Sequence, residues 1–145
     1  MFTLRLVSLT LASFTAAAAL AGPFDGSEPL ECLADNGYDC LPGKESCGPL
    51  QPVTKKEPLF HIDFANKRVR SPFRTQLLTV SHTTVNPEAL VLQGGDQLFA
   101  WSALINKQTG ALKIAVADRE GAYVVFGKCK AAAKPEKTTQ ERLQE

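Results

Sequence analysis

Leu98-Phe99-Ala100-Trp101-Ser102-Ala103-Leu104-Ile105 runs into Asn106-Lys107-Gln108-Thr109-Gly110 and then Ala111-Leu112-Lys113-Ile114-Ala115-Val116. This stretch decides the fold. Its first part is apolar on both faces, with Leu98, Ala100 and Leu104 opposite Phe99, Trp101, Ala103 and Ile105. Burial on both sides predicts a central strand, or one inside a closed barrel. The five-residue connection ends in Gly110, as hairpin links often do. Leu112, Ile114 and Val116 then alternate with small or polar residues, the period of a half-buried strand.

The same period extends in both directions. Upstream, Phe60, Ile62 and Phe64 alternate with His61, Asp63 and Ala65. Asn66-Lys67 suits a turn, and Val69 begins a short return strand that Ser71-Pro72 stops. Gln76–Ser81 forms the next strand with Leu78 and Val80 on one face, and Ser81–Thr84 reads as a turn holding His82. After the break at Asn86-Pro87 come Ala89–Gln93 and a turn at Gly94-Gly95-Asp96. Downstream, Arg119-Glu120-Gly121 turns the chain into a last strand, Ala122–Lys130. The fold class is therefore mainly β: six or seven short strands in a small antiparallel meander. An open curled sheet, a sandwich and a partly closed barrel all satisfy the pattern.

Met1–Ala21 reads as a secretory signal peptide, with Arg5 as its early charge, an uncharged run from Leu6 to Ala18, and Ala19-Leu20-Ala21 before Gly22. Removing residues 1–21 leaves 124 of 145, enough for one domain. Residues 22–54 are rich in Gly, Pro, Asp and Cys without sustained periodicity, and are expected to form an irregular segment stapled by disulfides. Residues 55–130 are the antiparallel β domain. Residues 131–145 carry Leu143 as their only large apolar residue and are expected to be a disordered charged tail. No later stretch approaches the ~20 apolar residues of a spanning helix, so no transmembrane segment is expected.

Cys32, Cys40, Cys47 and Cys129 are an even set, which in an exported chain predicts two disulfides. Three connectivities are open. In each of them one bridge is local and the other ties the N-terminal segment to Cys129. The long bridge would stabilise by on the order of 4 kcal/mol through chain entropy. Gaps of seven and six residues are not the tight pairs of a zinc site, and C-x-x-C is absent, so no metal and no disulfide-exchange site is expected.

Beyond the leader, 15 Lys+Arg face 15 Asp+Glu, a balance that gives no reason to expect nucleic acid. The distribution is uneven: Gly22–Leu50 is acidic and Lys55–Arg74 is basic. Such segments lie against each other or face solvent, and a basic edge is also suited to an anionic envelope polymer or headgroup.

His61 and His82 are the only histidines, and neither Ser/His/Asp nor Cys/His spacing nor G-x-S-x-G is legible. His61 and Asp63 share one face at i+2, so they are a candidate pair for a proton or metal against the simpler reading of an exposed strand histidine. Asp35-Asn36-Gly37-Tyr38-Asp39 lacks the third-position oxygen and the twelfth-position Glu of a calcium loop, and reads instead as an Asn-Gly turn. Trp101, with Phe99, is a core residue by default and a binding-face aromatic only if exposed. No cofactor is expected.

Trp101–Leu112, together with Phe60–Phe64 and the closing Gly127-Lys128-Cys129-Lys130, resembles small, largely uncharacterised exported β-proteins of proteobacteria. These proteins often close with an I-N/D-R/K-x-T-G-x-L hairpin and a strand ending in G-x-C. The resemblance covers about half of the chain beyond the leader and implies a periplasmic origin with no assigned activity.

The resulting expectation is a non-catalytic, disulfide-stabilised β-module, periplasmic or extracellular, that binds an unknown protein or envelope polymer. Trp101, Phe99, His61 and Asp63 are its candidate binding residues. One alternative is a carrier of a small apolar ligand in the sheet interior around Trp101, Phe99 and Phe126, which requires a large apolar cavity. Another is an inhibitor of a cell-wall-degrading enzyme, although the S-G-x-x-Y element of such inhibitors is absent.

Overall fold

The computed structural model describes residues 24–53 and 56–133. The expected signal peptide, and the tail from residue 134 onward, lie outside the described residues. Ten strands follow in order: β1 (Leu30–Cys40), β2 (Gly48–Pro49), β3 (Leu59–Asp63), β4 (Arg68–Arg70), β5 (Leu78–Thr79), β6 (His82–Val85), β7 (Ala89–Gly95), β8 (Phe99–Asn106), β9 (Ala111–Asp118) and β10 (Ala122–Ala131). Every pairing is antiparallel, and nine strands run in the order β5-β4-β3-β1-β10-β9-β8-β7-β6, with β2 beside β1. The sheet is curled into a half-barrel, one of the architectures the pattern allowed.

The two edge strands, β5 and β6, are neighbours in sequence. Val80 N donates to the Lys67 carbonyl at 2.9 Å and extends the pairing of β5 with β4. Ser81 N donates to the Gln93 carbonyl at 2.9 Å and starts the pairing of β6 with β7. A bend at Val80–Ser81 thus carries the chain from one edge of the curl to the other. β7 passes this corner at Gly94, where a Cβ would collide with the Thr79 carbonyl oxygen and the Trp101 indole. His82–Thr84, expected as a turn, are therefore strand residues, and the exposure of every one of them explains why no alternation marks them.

Residues 22–54 depart from expectation more widely. Instead of an irregular cap they supply β1, the longest strand, at the middle of the sheet. Leu30, Cys32 and Ala34 point into the core, a short alternation within an otherwise polar stretch. A bulge between Ala34 and Asn36 breaks the register with β10. Asp35-Asn36-Gly37 therefore sits inside a strand, not in a turn: Asp35 is the bulge residue, and the pairing of Asn36 and Gly37 with β10 overrides their poor strand propensity. The domain thus begins well before residue 55, and its last strand reaches Ala131.

The inward faces make one core. Leu30, Cys32, Leu90, Leu92, Ile105, Leu112 and Val125 are fully buried. Burial of such side chains contributes roughly 1.5–3 kcal/mol each. Cys32–Cys129 joins register partners of β1 and β10 inside this core, and Cys40–Cys47 staples the end of β1 to the loop before β2. The expected split into one long and one local bridge holds. At one end of the curl Phe24 is buried near Gly110; at the other, Ser71–Leu77 crosses as a strap, with Phe73 tilted against Phe60 at 5.8 Å between centroids.

β8 is central, as its composition predicts, but only one of its faces is buried. Trp101, Ala103 and Ile105 point inward, whereas Ala100 and Leu104 are exposed on the outside. Across that outer face Ala100, Ala117 and Ala122 form one cross-strand row, and Ser102, Ala115 and Val124 the next.

Candidate functional site

The interior is filled. The space beside Trp101 amounts to about 20 Å³, bounded by Phe60, Ile62, Leu92, Ile114 and their neighbours. That is room for about one water molecule. The carrier reading is overturned on this point, because ligand pockets run to roughly 300–1,000 Å³. Trp101 is 6% exposed, and its Nε1 has no hydrogen-bond partner among the described residues. Phe99 is half-buried with the Arg74 guanidinium over its ring at 4.2 Å, and Phe126 is on the outside of β10. None of these aromatics frames an internal site.

The outer surface does carry a cavity of suitable size. A groove of about 720 Å³ runs between Val53 and Lys56–Leu59 on one side and Arg70 with the strap Ser71–Leu77 on the other. Backbone bonds fix both walls: Val53 N donates to the Pro72 carbonyl at 2.9 Å, and Ala34 N to the Pro58 carbonyl at 2.9 Å. Pro72 ends β4 because it has no N–H to continue the ladder. Val53, Leu59, Pro72 and Leu77 give the groove apolar walls, while Lys56, Arg70, Arg74 and His61 line it with basic groups and Glu57 with an acidic one. Val53 and Leu77 are 62% and 52% exposed, so each presents apolar surface to solvent.

Arg74 anchors the strap. Its Nε donates to the Tyr123 hydroxyl at 3.0 Å and its Nη2 to Asp118 at 2.9 Å. Partial burial works against its charge, yet the Tyr123 hydroxyl and the Asp118 carboxylate outweigh this and raise its pKa above the ordinary value. Its charge is thus matched locally. Arg70 differs: it is exposed, and no hydrogen bond or ion pair engages its guanidinium among the described residues.

His61 lies opposite Arg70 on β4 and Glu31 on β1. Its Nδ1 is 3.7 Å from Glu31, which also lies 3.7 Å from the Lys130 ammonium. Asp63 faces a different partner. Its carboxylate accepts from Asn66 N at 3.0 Å and Asn66 Nδ2 at 2.7 Å. These bonds, the side-chain one foremost, hold Asp63 below the ordinary carboxylate value. The two residues named as a pair are therefore each committed elsewhere, Asp63 to a turn and His61 to a cross-strand contact. Among the described residues no three His, Cys, Asp or Glu side chains are placed to hold a metal ion, and no helix is long and apolar enough to cross a membrane.

The sequence names His61 as a binding candidate and the basic run holding Arg70 and Arg74 as an edge suited to an anion, but not the grouping of these residues with Leu77. The available signal was the basic run from Lys55 to Arg74, whose members separate in the structure: Arg70 and Arg74 line the groove, whereas Arg68 reaches Thr79 Oγ1 at 3.4 Å. No family model, curated protein or solved structure matches the chain.

Proposed function

We propose that the chain is an exported, non-catalytic β-module that binds another macromolecule on its outer surface, in the periplasm or outside the cell. The observation that carries this reading is the contrast between a filled interior and an open groove of about 720 Å³ on the outside. The leader-like residues 1–21 and the two disulfides support export to an oxidising compartment. The separate commitments of His61 and Asp63 support a binding role over a catalytic one.

The test is site-specific photo-cross-linking of the full chain in its native envelope. A photoreactive residue replaces Leu77 in the groove or, as a control, Ala115 on the outer face of β9. Adducts of one macromolecule from position 77 alone support the reading. Their absence from both positions, with the protein exported and folded, would contradict it.

A further inference from the structure

We infer that the groove receives an extended acidic peptide segment carrying at least one apolar side chain; this deepens the reading above and rests on it. The lining holds both parts of such a ligand's complement. Val53, Leu59, Pro72 and Leu77 offer apolar surface, and Leu77 leaves 52% of its surface exposed on the strap. Arg70 supplies a guanidinium that forms no pair among the described residues, and its planar fork matches a carboxylate in bidentate fashion. Among the described residues, Glu57 is the only acidic residue in the lining, against Lys56, Arg70, Arg74 and His61. Arg74 is neutralised by Asp118, so Arg70 is the cation that an incoming acid meets.

Shape and chemistry together favour a peptide over other anions. An anionic lipid surface is read by clusters of about 4–8 Lys/Arg, whereas the groove holds Lys56, Arg70 and Arg74, the last already paired with Asp118. An anionic polysaccharide repeats charge without side chains to cover Val53 and Leu77. A peptide that alternates acidic and apolar residues in an extended form presents both within one groove length.

The experiment uses the disulfide-intact protein, purified after export, and a fluorescein-labelled peptide of alternating Glu and Leu. Anisotropy reports binding. Binding is expected to weaken about tenfold in Arg70→Glu and several-fold in Leu77→Ser, about the effect of losing one charged or one apolar contact. Lys113→Glu, on the far outer face, leaves it unchanged, and circular dichroism shows each variant folded. Replacing the peptide's Glu by Gln also weakens binding. Equal competition by polyglutamate or heparin, with Leu77→Ser silent, would overturn the inference in favour of a bare polyanion. Binding to phosphatidylglycerol vesicles but not to the peptide would overturn it in favour of a membrane. No peptide binding at millimolar concentration would overturn it too. If cross-links from position 77 persisted in that case, only the class of occupant would fall and the macromolecule-binding reading would stand.

Discussion

Arg74 closes one end of the half-barrel by itself: one guanidinium bonds Asp118 and Tyr123 and covers Phe99. Asp118 and Arg74 are only about a quarter exposed, so the pair is not a surface bridge of negligible worth. Arg74→Ala is expected to cost about 1–3 kcal/mol in urea unfolding, with Arg74→Lys recovering less than half, because an ammonium cannot serve both acceptors and stack. Gly110 is the second position where one atom matters. Its φ is +70°, and a Cβ there would lie 2.6 Å from the Cys129 carbonyl oxygen and 2.8 Å from Phe24. Gly110→Ala should therefore destabilise by more than about 1 kcal/mol, read from the same unfolding midpoint. Asp63 supplies a pH prediction. Its carboxylate is held below 3.8 by Asn66, so the associated stability is present above the unfolded-state value and lost as pH falls through the folded-state value. Asn66→Ala should move the Asp63 carbon titration in NMR upward toward 3.8 and shift the onset of acid unfolding to higher pH.

Turns opened by an Asn or Asp side chain were legible in the sequence, whereas Asn36-Gly37 and His82–Thr84, read as turns, are strand. Asn86, Asp96, Asn106 and Asp118 each accept backbone N–H bonds two and three residues ahead. Such side chains mimic a backbone turn, so they announce hairpins without tertiary context. Strands with one buried face, such as β3 and β9, were legible for the same local reason. β1 was not. Its inward set is Leu30, Cys32 and Ala34, after which a bulge resets the alternation, and its polar second half is held as strand by β10 and β2. β6 was hidden because its residues are all exposed. Of the site, His61 was legible, but the approach of Arg70 to the wall of Val53 and Lys56–Leu59 is a product of strand order. Disulfides act on this scale too. Cys32–Cys129 spans 97 residues and Cys40–Cys47 spans 7. Chain entropy gives about 4.7 kcal/mol for the former and about 2.5 kcal/mol for the latter. Replacing each pair by serine should lower the urea midpoint in that order, more so for the first pair because it also lines the core. Equal midpoints would show that the long loop is already restricted in the unfolded chain.

At the scale of the whole molecule, the curl is occupied by its own side chains, so the binding proposed above is assigned to the outside. Both ends are covered, by Phe24 and by the Arg74 strap, and the remaining interior space of about 20 Å³ admits no organic ligand. The groove and the outer face of β8–β10 are two surfaces open to a partner: the groove sets the Arg70 guanidinium among apolar walls, and the shallower β8–β10 face sets Lys113 beside Leu104 and Phe126. Trp101 makes the distinction measurable, since it is the sole tryptophan and gives one indole N–H resonance from the core. The most direct measurement is chemical-shift mapping of the 15N-labelled, disulfide-intact protein during titration with fractionated cell-envelope contents. Shifts or broadening at His61, Arg70 and Leu77, with the Trp101 indole unmoved, is the result predicted. Movement of the Trp101 indole while the groove amides stay fixed would contradict the account and return the binding site to the interior.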